Sequence, residues 1–227
     1  MGVTKNDLFY RWALCPHGHV WRGNHHLINL RWFAMPAGVG SVATQNITDP
    51  HLATLVLDAM QAGQDAETAI KTVTRDCKNI SYRQLTAVDA KGTTAHFTGI
   101  HILGTHAVSQ AADCVAVGNL LSSSGVANGI SEGFCVDPSA HLAERLLQAI
   151  EGGVAAGGEE GPVRSAALLV GHEMPFPLVD LRVDWDDDDP IVSLRRLWGD
   201  YQPQMNDYLN RAINPQEAPS YGVAGDP

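Results

Sequence analysis

Residues 37–50 read AGVGSVATQNITDP, a run of small, β-compatible residues that closes on Asn-Ile-Thr-Asp-Pro. Asp49 suits a helix N-cap, because its carboxylate can accept from backbone N–H groups that a first helical turn leaves unpaired. Pro50 suits the first helical position, where its missing N–H costs nothing. A strand therefore runs straight into a helix. Beyond it, Leu52, Leu55, Val56, Ala59 and Met60 recur at helical spacing. Gly63 breaks the run, and Asp65 caps a second helix carrying Ala66, Ala69, Ile70 and Val73. The spacing predicts a helix pair.

Further out, Tyr82, Gln84, Thr86 and Val88 alternate with Arg83, Leu85 and Ala87, Asp89 to Gly92 (DAKG) supplies turn chemistry, and Thr93 to Thr98 resumes an extended pattern. Together they predict a β-hairpin. After a glycine-punctuated loop, Cys114 to Leu121 (CVAVGNLL) reads as a buried strand entering the polar turn SSSG. Pro138 is expected to open a helix with Leu142, Leu146 and Ile150 on one face, and Glu151 to Pro162 (EGGVAAGGEEGP) to be a flexible surface loop. Ser165 to Val170 (SAALLV) is continuous enough for a strand buried on both faces, and Leu178 to Val183 makes another. Pro190 begins a helix with Ile191, Leu194, Leu197 and Trp198, and the terminal APSYGVAGDP reads as a docked coil. Strands and helices alternate in blocks, with sheets covered by helices, which is an α+β arrangement.

A chain of 227 residues can bury one sizeable core, so a single domain over residues 1–227 is expected. The net charge of -10, with no Lys/Arg stripe, repels phosphate backbones and argues against nucleic-acid or anionic-membrane partners. No apolar run is long enough to span a bilayer. Cys15, Cys77, Cys114 and Cys135 share no CxxC spacing, which fits reduced thiols in the cytoplasm and makes Asn46-Ile47-Thr48 a coincidental sequon. The expected partner is a small-molecule substrate, with no cofactor, and with a homodimer as the assembly allowed for.

The most unusual stretch lies near the start. Tyr10 to Phe33, YRWALCPHGHVWRGNHHLINLRWF, holds three of the five Trp, four of the ten His and one of the four Cys. Cys15, His17, His19 and His25 are donors that zinc accepts, but no HExxH or paired CxxC supports them, so no metal is expected. The acidic run Asp184 and Asp186 to Asp189 lacks the alternation and Gly of a calcium loop and fits a solvated helix start instead. Gly38-Val39-Gly40 lacks the third glycine of a nucleotide loop and reads as a bend. Ser122-Ser123-Ser124-Gly125 lacks the flanking glycine of a nucleophile elbow and reads as a turn. Two amides stand out among apolar neighbours: Asn119 at the end of the CVAVG strand and Gln45 at the end of the first. Each could satisfy a local loop or donate to an oxyanion. Gly118 and Thr44 beside them are candidate substrate contacts.

AGVGSVATQNITDP, YRQLTAVDAKGTTAHFTG, VGNLL, AERLLQAIEGG, SAALLV, LVDLRVD, DDPIVSLRRL and APSYGVAGDP resemble, in order and spacing, the DUF1028 family over Ala37 to Pro227. The resemblance implies an N-terminal-nucleophile (Ntn) hydrolase-like fold, a four-layer αββα sandwich. The first 36 residues depart from the family's opening. Shifting their reading frame by one base turns every tryptophan codon into glycine, so Trp12, Trp21 and Trp32 fall on the family's VGR, FGV and VGS glycines. Met35, followed by Pro36, becomes cysteine, and Asn6 becomes the initiating Met. The expectation is that residues 1–36 are out of frame and that the family's chain starts at Asn6.

In Ntn hydrolases the residue after the initiating Met is a Thr, Ser or Cys that attacks an amide while its own α-amine acts as base. The resemblance puts that nucleophile at Asp7, which has neither a hydroxyl nor a free amine. What it implies is therefore an amidohydrolase of a small acyl-amide, inactive as written, with Asn119 and Gln45 as catalytic amides and Gly118 and Thr44 at the substrate. The other reading is a non-enzymatic ligand-binding or assembly protein on the same fold.

Overall fold

The computed structural model describes residues 38–225. Its first half is an antiparallel sheet of β1 (Gly40–Asn46), β2 (Arg83–Asp89) and β3 (Thr94–Thr98), in that order, under α1 (Pro50–Gln61) and α2 (Ala66–Arg75). The expected caps are in place: Asp49 Oδ1 accepts from His51 N at 3.1 Å and Asp65 Oδ1 from Thr68 N at 2.7 Å. The hairpin closes on Asp89, whose Oδ1 accepts from Lys91 N and Thr93 N, while Oδ2 accepts from Ala66 N at the start of α2. One carboxylate thus joins the turn to the helix pair. At Gly40 a Cβ would lie 2.5 Å from Val88 O and 2.7 Å from Met60 Cε, so the bend there admits only glycine.

The second half contains two further antiparallel pairs, β4 (Ala107–Ala111) with β5 (Cys114–Gly118) and β6 (Ala166–Val170) with β7 (Val179–Val183). They are covered by α3 (Val126–Phe134), α4 (Leu142–Ala155) and α5 (Pro190–Tyr201), and α6 (Met205–Ile213) follows. Two apolar clusters form. One joins Val42, Leu85, Ala87 and Ala95 to α1 and α2; the other joins β5 and β6 to α3, α4 and α5. The molecule is a mixed α+β fold of helices on small antiparallel sheets. No helix among the described residues is long and apolar enough to cross a membrane.

Three expectations from sequence are corrected, and one helix, α3, appears where none was assigned. The glycine-punctuated loop contains β4, which exists because its five residues pair in register with β5. VANGISEGF forms α3 although its two glycines weaken helical propensity, since those glycines allow a close helix contact. The helix expected from Pro138 starts at Leu142: Asp137 Oδ1 captures Ser139 N and Oγ in a turn, and His141 is the cap. The supposed loop at Glu151 is helical to Ala155. A Cβ on Gly152 would lie 2.3 Å from Gly129 O, and one on Gly133 2.3 Å from Gln148 O, so α3 and α4 touch through backbone. Tertiary contact overrides composition there.

Arg195 fastens α5 to α4, with Nε and Nη2 each donating to Glu151 at 2.8 Å and Nη1 to Glu144 at 2.6 Å. Glu144 also accepts from Trp198 Nε1 at 3.0 Å. His141 stacks on Trp198 with ring centroids 5.3 Å apart, and its Nδ1 accepts from Ala143 N at 3.1 Å. At the C-terminal end the docked coil is as expected: the Arg211 guanidinium lies 3.8 Å over the Tyr221 ring and donates to Pro219 O.

Gly152→Val forces a side chain onto Gly129 backbone and is expected to cost about 1–3 kcal/mol, seen as a lower urea midpoint at unchanged slope. An unchanged midpoint would mean the helices part without cost. His141 gives a pH signature. Burial holds its imidazole below the ordinary value of 6.5, so the unfolded state takes up the proton first. Stability from this residue is complete above about pH 6.5 and is lost as pH falls towards the lower folded value. The urea midpoint should drop between about pH 7.5 and 5.5 by more in the wild type than in His141→Asn, which keeps a capping acceptor. Equal drops would remove His141 from the acid response.

Candidate functional site

Alternation along the first sheet sorts its residues by face. Val42, Leu85, Ala87 and Ala95 join the cluster under α1 and α2. The paired residues of opposite parity are Ser41 with Val88 and Thr94, and Gln45 with Gln84 and Thr98, with Thr86 between them. This second face is polar yet largely buried: Gln84 is 0% exposed, and Ser41, Gln45 and Thr86 are buried too. It faces the second sheet, since β2 and β3 lie against β5 and Gln110 Nε2 of β4 donates to Thr94 Oγ1 at 2.8 Å. A relay of side chains crosses it. Gln45 Nε2 donates to Gln84 Oε1, and Gln84 Nε2 donates to Thr98 Oγ1 at 3.3 Å.

The end of β1 meets the end of β5. Asn46 sits in the left-handed region at φ 69, which Asn tolerates better than most residues. Its Nδ2 donates to Tyr82 O at 2.7 Å, and its Oδ1 accepts from Leu103 N at 3.2 Å and from Asn119 Nδ2 at 3.5 Å. Tyr82 and His101 pack ring against ring in a tilted pair, with centroids 4.8 Å apart. Leu120, immediately after Asn119, is also left-handed at φ 55, which turns the chain off β5. Asn119 is 2% exposed, and its Oδ1 accepts no hydrogen bond among the described residues. An acceptor left unpaired in a buried place costs about 1–3 kcal/mol, which singles Asn119 out among the carboxamides of this junction.

Of the residues singled out in the sequence, Gln45 and Gly118 line one small cavity, and Asn119 reaches Asn46, the residue that follows Gln45. Thr44 does not. Its position in β1 puts it on the face of Val42, towards the helices, where its hydroxyl is buried without a partner among the described residues. Asp7, Cys15, His17, His19 and His25, and the whole stretch assigned to another frame, lie outside the described residues. Gln84 and Thr98 were not foreseen, because only strand register brings them beside Gln45, and the role of Asn46 depends on residues distant in sequence.

The remaining candidates resolve into structure. Among the described residues no three His, Cys, Asp or Glu side chains are placed to hold a metal ion. Asp189 caps α5 through Ile191 N and Val192 N. Asp186 is held below the usual carboxylate range by the Ser193 hydroxyl and by the Asp188 and Asp189 N–H groups. Cys77, Cys114 and Cys135 are free, and burial pushes the Cys114 thiol up to about 12, which makes it a core group rather than a nucleophile.

Comparison with known proteins agrees on one family. The model described as "Family of unknown function (DUF1028)" matches residues 28–194. The match begins ahead of Ala37, the start expected from the resemblance, and stops short of Pro227. A crystal structure of protein SPO2555 from Silicibacter pomeroyi, assigned to the DUF1028 model, is similar at 30% identity and a TM-score of 0.69. The likeness covers 75% of this chain and 76% of that one. No curated protein matches.

Asn46→Gly keeps the left-handed backbone and removes the carboxamide, whereas Asn46→Ala loses both. Both variants should unfold at lower urea, Asn46→Ala by about 1 kcal/mol more, since the left-handed conformation costs a Cβ-bearing residue about 1–2 kcal/mol. Equal midpoints would show that the backbone there relaxes freely.

Proposed function

Because the chain belongs to the DUF1028 family, we propose on that premise that its fold is the framework of an Ntn-type amidohydrolase acting on a small acyl-amide. The observation that carries the reading is the set of carboxamides where the two sheets meet, Gln45 on Gln84 and Asn119 on Asn46, with Asn119 Oδ1 accepting no hydrogen bond among the described residues. The succession of α1 and α2, the β1–β3 sheet, the sheet of β4 and β5, and α3 with α4 supports the four-layer αββα sandwich.

In this reading the chemistry is that of an N-terminal nucleophile. A Thr at the position of Asp7, once freed at its amine, attacks the substrate carbonyl carbon through its hydroxyl, and its own α-amine takes the proton. An unperturbed α-amine titrates at about 7.7–8.0, close enough to neutrality for that task. The oxyanion is stabilised by carboxamide N–H groups, for which Asn119 and Gln45 are the candidates. Asn119 Nδ2 is only weakly held, by a 3.5 Å contact, and can turn to a ligand at little cost. The amine returns its proton to the leaving nitrogen as the C–N bond breaks, and water then hydrolyses the ester. With Asp7 in that place the chain as written has no nucleophile and is inactive by this route.

A chain read in the other frame up to Pro36, assayed against a panel of short acyl-amides, is expected to release amine. Its Thr→Ala version should lose at least about 10³-fold in rate, as expected for removing a covalent nucleophile. Turnover indifferent to that Thr would overturn the hydrolase reading in favour of a ligand-binding protein. Resequencing the gene across the Pro36 codon tests the frame itself, and codons incompatible with the family's opening would sink it.

A further inference from the structure

A cavity of ≈ 40 Å³ lies beside Gln45, between the end of β1 and the α3–α4 pair. Its walls include Val117 of β5, Val126 and Ile130 of α3, and Ile150 of α4, and its polar groups are the Gln45 carboxamide and Glu159. One water needs about 10–15 Å³, so about three would fit, the room of an aliphatic group of about three or four carbons. A buried water settles where it finds 2–4 polar partners, and beyond Gln45 and Glu159 the side chains lining this cavity are Val, Leu and Ile. An apolar occupant suits the walls better.

The cavity is kept open by backbone. A Cβ on Gly118 would lie 2.5 Å from Leu121 Cδ2, and one on Gly153 2.6 Å from Ile130 Cγ1, so a side chain at either place would collide with a residue of the cavity wall. Gln45 is 3% exposed and stands where the apolar walls meet the polar face of the first sheet. The site thus pairs an apolar slot with the Gln45 carboxamide and Glu159, the complement of a short branched aliphatic amide that can both accept and donate.

We propose that this cavity binds the aliphatic part of such an amide, of three or four carbons, with the amide group at Gln45. Its role as the acyl pocket rests on the amidohydrolase reading; its ligand class rests on the walls alone. The test is methyl NMR of the full chain titrated with 2-methylpropanamide. The methyls of Val117, Val126, Ile130 and Ile150 should shift, and benzamide, too large for the slot, should leave them unmoved. Val126→Phe and Val117→Phe, which fill the slot from opposite walls, should each weaken binding by at least about tenfold, a loss of about 1.4 kcal/mol. Dispersed methyl spectra identify which variants are folded, and one folded variant suffices. Unmoved methyls, an equal response to benzamide, or a folded filled variant that binds as well as the wild type would overturn the proposal. Binding without Thr-dependent turnover would remove the hydrolase and leave the cavity's ligand class standing. Turnover with no response at these methyls would do the reverse.

Discussion

The carboxamide of Asn46 is the fastening on which the two halves of this fold depend. It accepts and donates at the point where β1 ends, reaching Tyr82 beside the second strand, Leu103 in the loop that crosses between sheets, and Asn119 at the end of β5. Each half has its own apolar cluster with its own helices, so hydrophobic burial alone would make two small cores. Among the described residues, hydrogen bonds add to the packing of β2 and β3 on β5 in holding them in one relation. Hydrogen bonds are directional, where apolar contact is not, and a directional joint fixes the angle and register at which two sheets meet. The left-handed turn at Asn46 is part of the same device, because it aims the carboxamide along the junction instead of into either core.

A sheet with an apolar face against helices and a buried polar face towards another sheet reverses the usual economy of a sandwich, in which facing sheets bury hydrocarbon. Gln45, Gln84, Thr86 and Ser41 would be costly between two apolar layers unless paired, and the Gln45–Gln84–Thr98 relay supplies part of that pairing. A low-dielectric setting that is already hydrogen-bonded is also one in which a small developing charge is felt strongly.

Much of the first half was legible in the sequence because its signals are local. Asp49-Pro50 and Asp65 are caps whose meaning does not depend on anything distant, and DAKG is a turn in its own right. The second half was less legible for the opposite reason. The glycines of α3 and α4 spell a loop by propensity, and become helical only because the two helices meet backbone to backbone. Strand β4 carries weak alternation and exists through its register with β5. The site divides the same way. Gln45 and Asn119 stood out as amides in apolar company, whereas Gln84 and Thr98 looked like ordinary members of an alternating hairpin until pairing brought them beside Gln45. Thr44, adjacent to Gln45 in sequence, points to the other face, as strand geometry requires.

The contact of Gly129 with Gly152 also fixes the gauge of the slot beside Gln45. Two of its walls are the α3 and α4 surfaces carrying Val126, Ile130 and Ile150, and the spacing of those surfaces is set by main chain against main chain. Side chains can change rotamer to admit a larger guest, but two helices in van der Waals contact have no such slack. The width of this place is accordingly a property of the main chain as much as of the side chains that line it.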